Sequence, residues 1–414
     1  MRAKQKITNF LLWSQRYTQT DMIYLAKGGF WLILGKISTS LITLATMFAF
    51  AKWVPKETFG KYQYIISVIA ILTIFTLPGM SNSLIRSIAR GKEGMLALCA
   101  KTKMKWSSIG IAISLIISSW YFVQGNSSLG ICFLIASFLF PFPSIFNLFS
   151  CFWQGKKRFD VQNKYLILIN ILEALIFIPV LFLTNNLVLI MFAYFFSRAI
   201  FRGIFFFKVT TQKIKNQERD NETLPFGKHL TIMQSVNIFA NQIDKIIIWQ
   251  FLGPIPVAIY SFAQLSVREV QGIIPFSALF LPKLSQKNFK EIKKELFKKF
   301  FKLFSISIPL YLLFFVLAPI GYKIVFSNYM EAIPYAKVLA ISIILLPFSL
   351  LSASLTAAMK TRELYKIQFI SPAIKILLFL ILIPLCGIWG IIISFLTAQI
   401  IQSILTLYFF KKAI

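Results

Sequence analysis

Apolar residues run along this chain in long continuous stretches, separated by short clusters of polar and charged residues. A helix needs about 20 apolar residues to cross the hydrocarbon core of a bilayer. Only helices and closed barrels satisfy their own backbone polar groups there. The stretches do not alternate with period two, so the pattern predicts helices. They fall at about 29–51, 62–80, 107–124, 129–150, 165–184, 187–207, 230–252, 256–281, 303–325, 334–357, 365–386 and 388–410. The expected fold class is an all-α polytopic membrane protein of twelve transmembrane helices.

One span departs from the apolar rule. Along 234–260, Gln234, Asn237, Asn241 and Asp244 are spaced three, four and three apart. That spacing predicts a single polar face on an α-helix. Val236, Ile238, Phe239, Ile243, Ile246 and Ile247 occupy the other faces. A charged residue such as Asp near mid-membrane costs about 2.5–3.5 kcal/mol on insertion scales, so such residues face a bundle interior or a water-filled cavity. The alternative is that Asp244 is neutralised by Lys245 or a neighbouring helix and serves only packing. The next span carries Ser261, Gln264, Arg268 and Gln271 at the same spacing.

Composition agrees with the pattern: 57% of the 414 residues are hydrophobic, and mean hydropathy is +0.73. The formal net charge of +30 would suggest nucleic acid in a soluble protein. Here most of the 44 Lys and Arg fall in loops on one side of the predicted spans. Only Lys52, Lys56, Lys61, Lys323 and Lys337 fall on the other side, and Lys36, Lys245, Arg268 and Lys375 lie inside spans. The positive-inside rule then puts both termini in the cytoplasm and removes nucleic acid as a partner. The longest cytoplasmic connection divides the chain into a cytoplasmic segment 1–28, a first six-helix bundle 29–207, a linker 208–228 and a second bundle 229–414. The first 28 residues hold no apolar run long enough for a cleavable signal peptide. Residues 283–302 read as a basic amphipathic helix on the anionic leaflet, or as topology-setting charge and nothing more.

Catalytic chemistry finds no foothold. Cys99, Cys132, Cys151 and Cys386 are scattered without metal spacing and are expected to be buried free thiols. His229 is the only histidine, at a membrane edge, so neither a metal cluster nor a Ser/His/Asp set can form around it. Glu173, Asp244 and Glu269 are the in-span carboxylates, on three different helices. Gly29 to Lys36 resembles a phosphate-binding loop but is one residue too long and has Ile37 where Ser or Thr is required. No cofactor and no metal are expected.

The two halves align at a constant offset of 198. Tyr62 falls on Tyr260, and Pro78 falls one residue from Pro275. Gln234, Asn237, Asn241 and Asp244 fall on Lys36, Thr39, Thr43 and Thr46, while Asn170 and Glu173 fall on Gln368 and Ser371. The first and seventh spans would then line a shared cavity between two bundles. Internal repeats with a site at their interface are a transporter pattern.

Two segments carry a family resemblance. Pro78-Gly-Met-Ser-Asn-Ser-Leu-Ile-Arg86-Ser-Ile-Ala-Arg90 resembles the segment closing the second span in the polysaccharide-transport branch of the multidrug/oligosaccharidyl-lipid/polysaccharide (MOP) exporters. Asp244-Lys-Ile-Ile-Ile-Trp-Gln-Phe-Leu-Gly-Pro, followed by Val257-Ala-Ile-Tyr260-Ser-Phe-Ala-Gln, resembles a second signature of that branch, with Ala258 where Gly is usual. Length and span count look most like the Wzx-type O-antigen flippases. The resemblance implies a V-shaped, MATE-like pair of six-helix bundles in the bacterial inner membrane. It implies a transporter, not an enzyme, that moves an undecaprenyl-pyrophosphate-linked oligosaccharide to the periplasmic leaflet by alternating access. Implied partners are the lipid-linked glycan, membrane lipids, a glycan polymerase and a chain-length regulator.

On this reading Lys36, Lys245, Arg268 and Lys375 are cations that could meet the pyrophosphate. Thr39, Thr43, Gln234, Asn237, Asn241, Gln264 and Gln271 suit sugar hydroxyls. Asp244 or Glu173 would take up a coupling proton or sodium ion. The alternative for each charged residue is a structural ion pair. Two other functions stand beside the flippase: a cation-coupled drug exporter of the same superfamily, and a scaffold for glycan polymerases.

Overall fold

A computed structural model describes residues 22–214, 216–273, 289–357 and 361–412. The described residues contain no strand. In chain order the α-helices are α1 Met22–Trp53, α2 Lys56–Leu72, α3 Gly79–Ala89, α4 Met95–Val123, α5 Ser127–Leu139, α6 Pro141–Phe146, α7 Leu148–Gly155, α8 Phe159–Leu183 and α9 Leu187–Gln212. They continue as α10 Thr223–Ala240, α11 Ile243–Leu252, α12 Pro254–Ile273, α13 Phe289–Val325, α14 Ile333–Leu339, α15 Ile341–Ile344, α16 Phe348–Ala357, α17 Thr361–Cys386 and α18 Ile388–Lys412. Among the described residues nine helices are long and apolar enough to cross a membrane. The stretches expected as spans at 230–252 and 334–357 are divided into shorter helices and do not reach that standard. Of the stretch expected at 256–281, residues 256–273 belong to α12, and 274–281 lie outside the described residues. Residues 1–21 of the N-terminal segment, and 283–288 of the basic stretch, lie outside the described residues.

Local sequence explains where helices stop. Gly253 adopts φ 84° at the end of α11, and Pro254 opens α12. A residue with no Cβ ends the first helix, and a proline, whose missing N–H is no loss at the first position, starts the next. Gly387, at φ 58°, separates α17 from α18 in the same way. At the start of α5 the Asn126 side chain accepts the Leu129 N–H at 3.2 Å, satisfying one orphan donor.

The chain packs into two compact units. The first comprises the chain through Met47, Leu72–Thr184 and Val188–Ile232; the second comprises Phe48–Ile71, Asn185–Leu187 and Met233–Ile414. The segment Phe48–Ile71, expected within a 29–207 bundle, thus packs with the second unit.

Within the first unit, α3 packs on α7 and α4 on α5. A core of Met80, Leu84, Ile88, Leu148, Phe149 and Phe152 joins α3 to α7. A Cβ on Gly79 would stand 2.4 Å from the Thr231 nitrogen and 2.5 Å from the Gly227 oxygen. Only glycine therefore lets α3 start against α10. The close approach also lets the Gly79 N–H donate to Thr231 Oγ1 at 3.1 Å. One motif residue is thereby explained by packing. Within the second unit, α17 and α18 form a helical pair. An aromatic cluster holds the Phe48–Ile71 segment in place: Phe59 lies 4.8 Å from Phe262, and Phe262 lies 3.8 Å from Tyr329. Tyr64 stacks on Trp249 with ring centroids 4.4 Å apart.

Candidate functional site

The polar stripe is not one helix face. The helix stops at Ala240 and restarts at Ile243, so Gln234 and Asn237 lie on α10, Asn241 in the break, and Asp244 in the first turn of α11. Sequence spacing could not show this, because the residues at the break are ordinary helix formers in pattern. The break has two electrostatic consequences. The last carbonyls of α10 carry partial negative charge, and the first N–H groups of α11 carry partial positive charge. Asp244 sits at the positive end, where a carboxylate is stabilised.

Asp244 is completely buried. Its Oδ1 accepts the Lys245 backbone N–H at 2.9 Å, and its Oδ2 accepts the Tyr260 hydroxyl at 2.8 Å. Gln264 Nε2 donates to the same Oδ2 at 3.3 Å and to the Tyr260 hydroxyl oxygen at 3.1 Å. Tyr260 and Gln264 are four residues apart on α12, hence on one face. The Lys245 ammonium turns away from the carboxylate and donates to Gln63 Oε1 on α2 at 3.0 Å. The alternative in which Lys245 neutralises Asp244 through a direct ion pair is not what this geometry shows. Tyr260 and Gln63 are the members of this network that spacing arguments did not single out. Tyr260 stood out through the repeat and the second family motif.

On α17, Lys375 is buried and donates to the Ala240 carbonyl at 2.6 Å. Gln271 donates to Ser342 Oγ at 2.7 Å. Arg268 and Asn241 are exposed, and Gln234 and Asn237 are half-buried. The second unit therefore brings Asp244, Gln264 and Tyr260 into one network. It places Lys375 at the break and leaves Arg268 at the surface of α12.

In the first unit, Lys36 and Thr39 are exposed and Thr43 is half-buried on α1. Both threonines return their hydroxyls to the carbonyls four residues earlier, Thr39 at 2.8 Å and Thr43 at 2.9 Å. The helix is unbroken here, where its aligned counterpart in the other half is broken. Asn170 of α8 donates to Thr39 Oγ1 at 3.1 Å, so α1 and α8 share a polar contact. Glu173 of α8 is buried and bridges to α9, where Arg202 Nε lies 3.0 Å and Arg198 Nε 3.7 Å from its carboxylate. Glu173 thus has two cationic partners on the next helix.

The connection 208–228 is tied down. Lys92 pairs with Glu218 at 2.6 Å, and the Gly94 N–H donates to the Glu218 carbonyl at 3.1 Å. Lys92 holds the Glu218 carboxyl below the usual carboxylate range. Asp220 accepts the Glu222 N–H at 2.9 Å and the Thr223 hydroxyl at 3.0 Å, which fixes the start of α10. These two bonds, with Arg90 and Arg86 nearby, hold its carboxyl low as well. Between this strap and α3 lies a cavity of about 380 Å³, lined among others by Ser83, Arg86, Asp220, Phe226 and His229. The Arg86 guanidinium stands 5.2 Å above the Phe226 ring. His229 is exposed there. No group of three or more metal-ligating side chains occurs among the described residues.

Broken helices with buried charge at the break are a feature of transporters, and comparison with known proteins gives the family. Residues 25–288 match the family described as polysaccharide biosynthesis protein. The chain belongs to this family. A relative from Shigella flexneri, named "Putative O-antigen transporter", is 24% identical over 93% of this chain and 97% of its own. Among solved structures, the lipid II flippase MurJ in an inward closed conformation superposes with a TM-score of 0.71 at 16% identity, covering 92% of this chain and 87% of that one. An inward-facing multidrug resistance MATE family transporter of the MOP superfamily gives 0.67 at 15% identity, over 92% and 98%. This polysaccharide biosynthesis family member is thus a multi-pass membrane protein with the fold of MATE and MurJ transporters.

Proposed function

We propose that the protein is a flippase for a lipid-linked glycan, carrying an undecaprenyl-pyrophosphate-linked oligosaccharide from the cytoplasmic to the periplasmic leaflet of a bacterial inner membrane by alternating access. The observation that carries this reading is similarity along nearly the whole chain to a protein named as an O-antigen transporter. The arrangement of charge supports it. Arg268 and Lys36 are cations exposed on helices of their respective units, each suited to an anionic headgroup. The half-buried or exposed amides Gln234, Asn237 and Asn241, with Thr39 and Thr43, offer donors and acceptors to sugar hydroxyls. Coupling falls to Asp244, whose carboxylate is hydrogen-bonded to neutral partners. Glu173 is engaged by Arg198 and Arg202. Membrane potential adds about 2.3 kcal/mol per charge per 100 mV.

Deleting the gene tests the reading. Lipid-linked repeat units should accumulate inside while surface glycan staining is lost. Arg268→Ala should reproduce that loss with normal membrane insertion; full export by this variant would remove Arg268 from the mechanism. The likeness to a MATE transporter favours a second reading, a multidrug exporter. Intact surface glycan with raised sensitivity to cationic dyes would select it.

A further inference from the structure

Lys375 occupies an unusual place. The chain breaks a helix at Asn241–Gln242 and so exposes the terminal carbonyls of α10 in the interior of the second unit. Such carbonyls need donors or cations, because no helix continues to satisfy them. The Gln242 N–H covers the Phe239 carbonyl at 3.1 Å, and the Asn241 N–H covers that of Asn237 at 3.1 Å. The Ala240 carbonyl is met by the Lys375 ammonium at 2.6 Å. The ammonium is 7% exposed as a residue and is flanked by two rings, with Phe379 at 5.2 Å and Phe395 at 5.3 Å from centroid to Nζ. A carbonyl at a negative helix end and two aromatic faces form a cage that favours a cation. Asp244, at the start of the next helix, is near enough to favour the Lys375 charge, and Arg268, of like sign, is near enough to oppose it. The packing of α11 on α17 brings these groups together.

We infer that Lys375 is a built-in cation: its ammonium fills the monovalent-cation site that the broken helix, the two rings and Asp244 would otherwise present, so the second unit binds neither sodium nor potassium there. The inference concerns the site and holds whether or not the cargo is a glycan. Its consequence for transport rests on the flippase reading. Sodium is then excluded from the Asp244 site, and a proton or the membrane potential is left to drive the cycle. It also moves Lys375 from the headgroup to the frame of the site, since its charge is committed to a backbone carbonyl.

The test uses the purified full-length protein in detergent and reads its thermal midpoint. NaCl or KCl is titrated against N-methylglucamine chloride at constant ionic strength. Wild type should show no sodium- or potassium-specific shift. Lys375→Ala, which empties the cage, should gain a saturable upward shift of about 2 °C or more with one of the two ions. Lys375→Ala combined with Asp244→Asn should lose that response. Lys375→Ser, which adds a hydroxyl ligand, provides a second variant with the same expectation. A saturable ion-specific shift in wild type would overturn the inference without any variant. Folded variants that ignore both ions would also overturn it. So would variants that cannot be recovered folded in either salt, because a bound ion should stand in for the missing ammonium. None of these outcomes depends on glycan export, so failure here is separable from failure of the flippase reading.

Discussion

At the residue scale, the Asp244 network decides what the second unit can tolerate. A buried carboxylate in lipid is costly, and its hydrogen bonds determine whether the cost is met. Tyr260 and Gln264 supply two of them from one face of α12. Interhelical hydrogen bonds in membranes average about 0.6 kcal/mol and reach about 1.7. A bond to a carboxylate belongs at the upper end. Tyr260→Phe should therefore lower unfolding stability by about 1–2 kcal/mol. Asp244→Ala should cost more, because it strands the Tyr260 hydroxyl and Gln264 together. A double-mutant cycle between Asp244→Asn and Tyr260→Phe should return a non-zero coupling energy in a detergent unfolding assay. Additive effects would show that the two side chains do not interact. The sequence made Asp244 legible, since a charge among isoleucines has few explanations. It did not make the partner of neighbouring Lys245 legible: Gln63 lies 182 positions away, and nothing in local spacing joins them. Glu173 is the converse case. Its two arginines lie on the next helix in the chain, at 198 and 202, yet only the structure turns all three toward one another.

At the element scale, the helical segments followed from the apolar runs because lipid leaves the backbone few alternatives. What escaped was where helices break within a run. Asn241 and Gln242 carry no glycine or proline, and their break is held by distant groups, Lys375 above all. Two elements allow direct tests. Gly79 begins α3 against the backbone of α10, with atoms on both sides that cannot move independently. Gly79→Val should reduce stability by about 1–3 kcal/mol through overpacking, read as a lower thermal midpoint. An unchanged midpoint would mean that the two helices separate at no cost. The strap 216–223 depends on ionised carboxylates. Glu218 and Asp220 have folded-state values below their unfolded ones. Their contribution is therefore present above the unfolded carboxylate range and is lost as pH falls through the lowered values. At neutral pH, Glu218→Gln with Asp220→Asn should accelerate tryptic cleavage after Arg219 relative to wild type. As the pH falls below about 4, hydrogen exchange in wild-type residues 216–223 should rise toward that of the variant. A pH-independent strap would place its hold on the backbone bonds alone.

At the scale of the whole molecule, the asymmetry of Lys and Arg predicts an orientation that one cysteine can report. Cys99, Cys132 and Cys151 are buried in the first unit, whereas Cys386 is exposed at the turn between α17 and α18, a departure from the expectation of four buried thiols. All four are free, so no disulfide masks the signal. With both termini in the cytoplasm, the turn at Cys386 and Gly387 faces the periplasm. A membrane-impermeant maleimide added to intact spheroplasts should then label the wild-type protein once, and Cys386→Ser should abolish the label. Burial protects the other three thiols from the reagent, so the background should stay low even after the membrane is opened. Labelling that appears only after permeabilisation would invert the topology. The lysine-rich loops would then face outward, against the charge bias that sets membrane insertion, and the direction proposed for transport would have to be reversed with them.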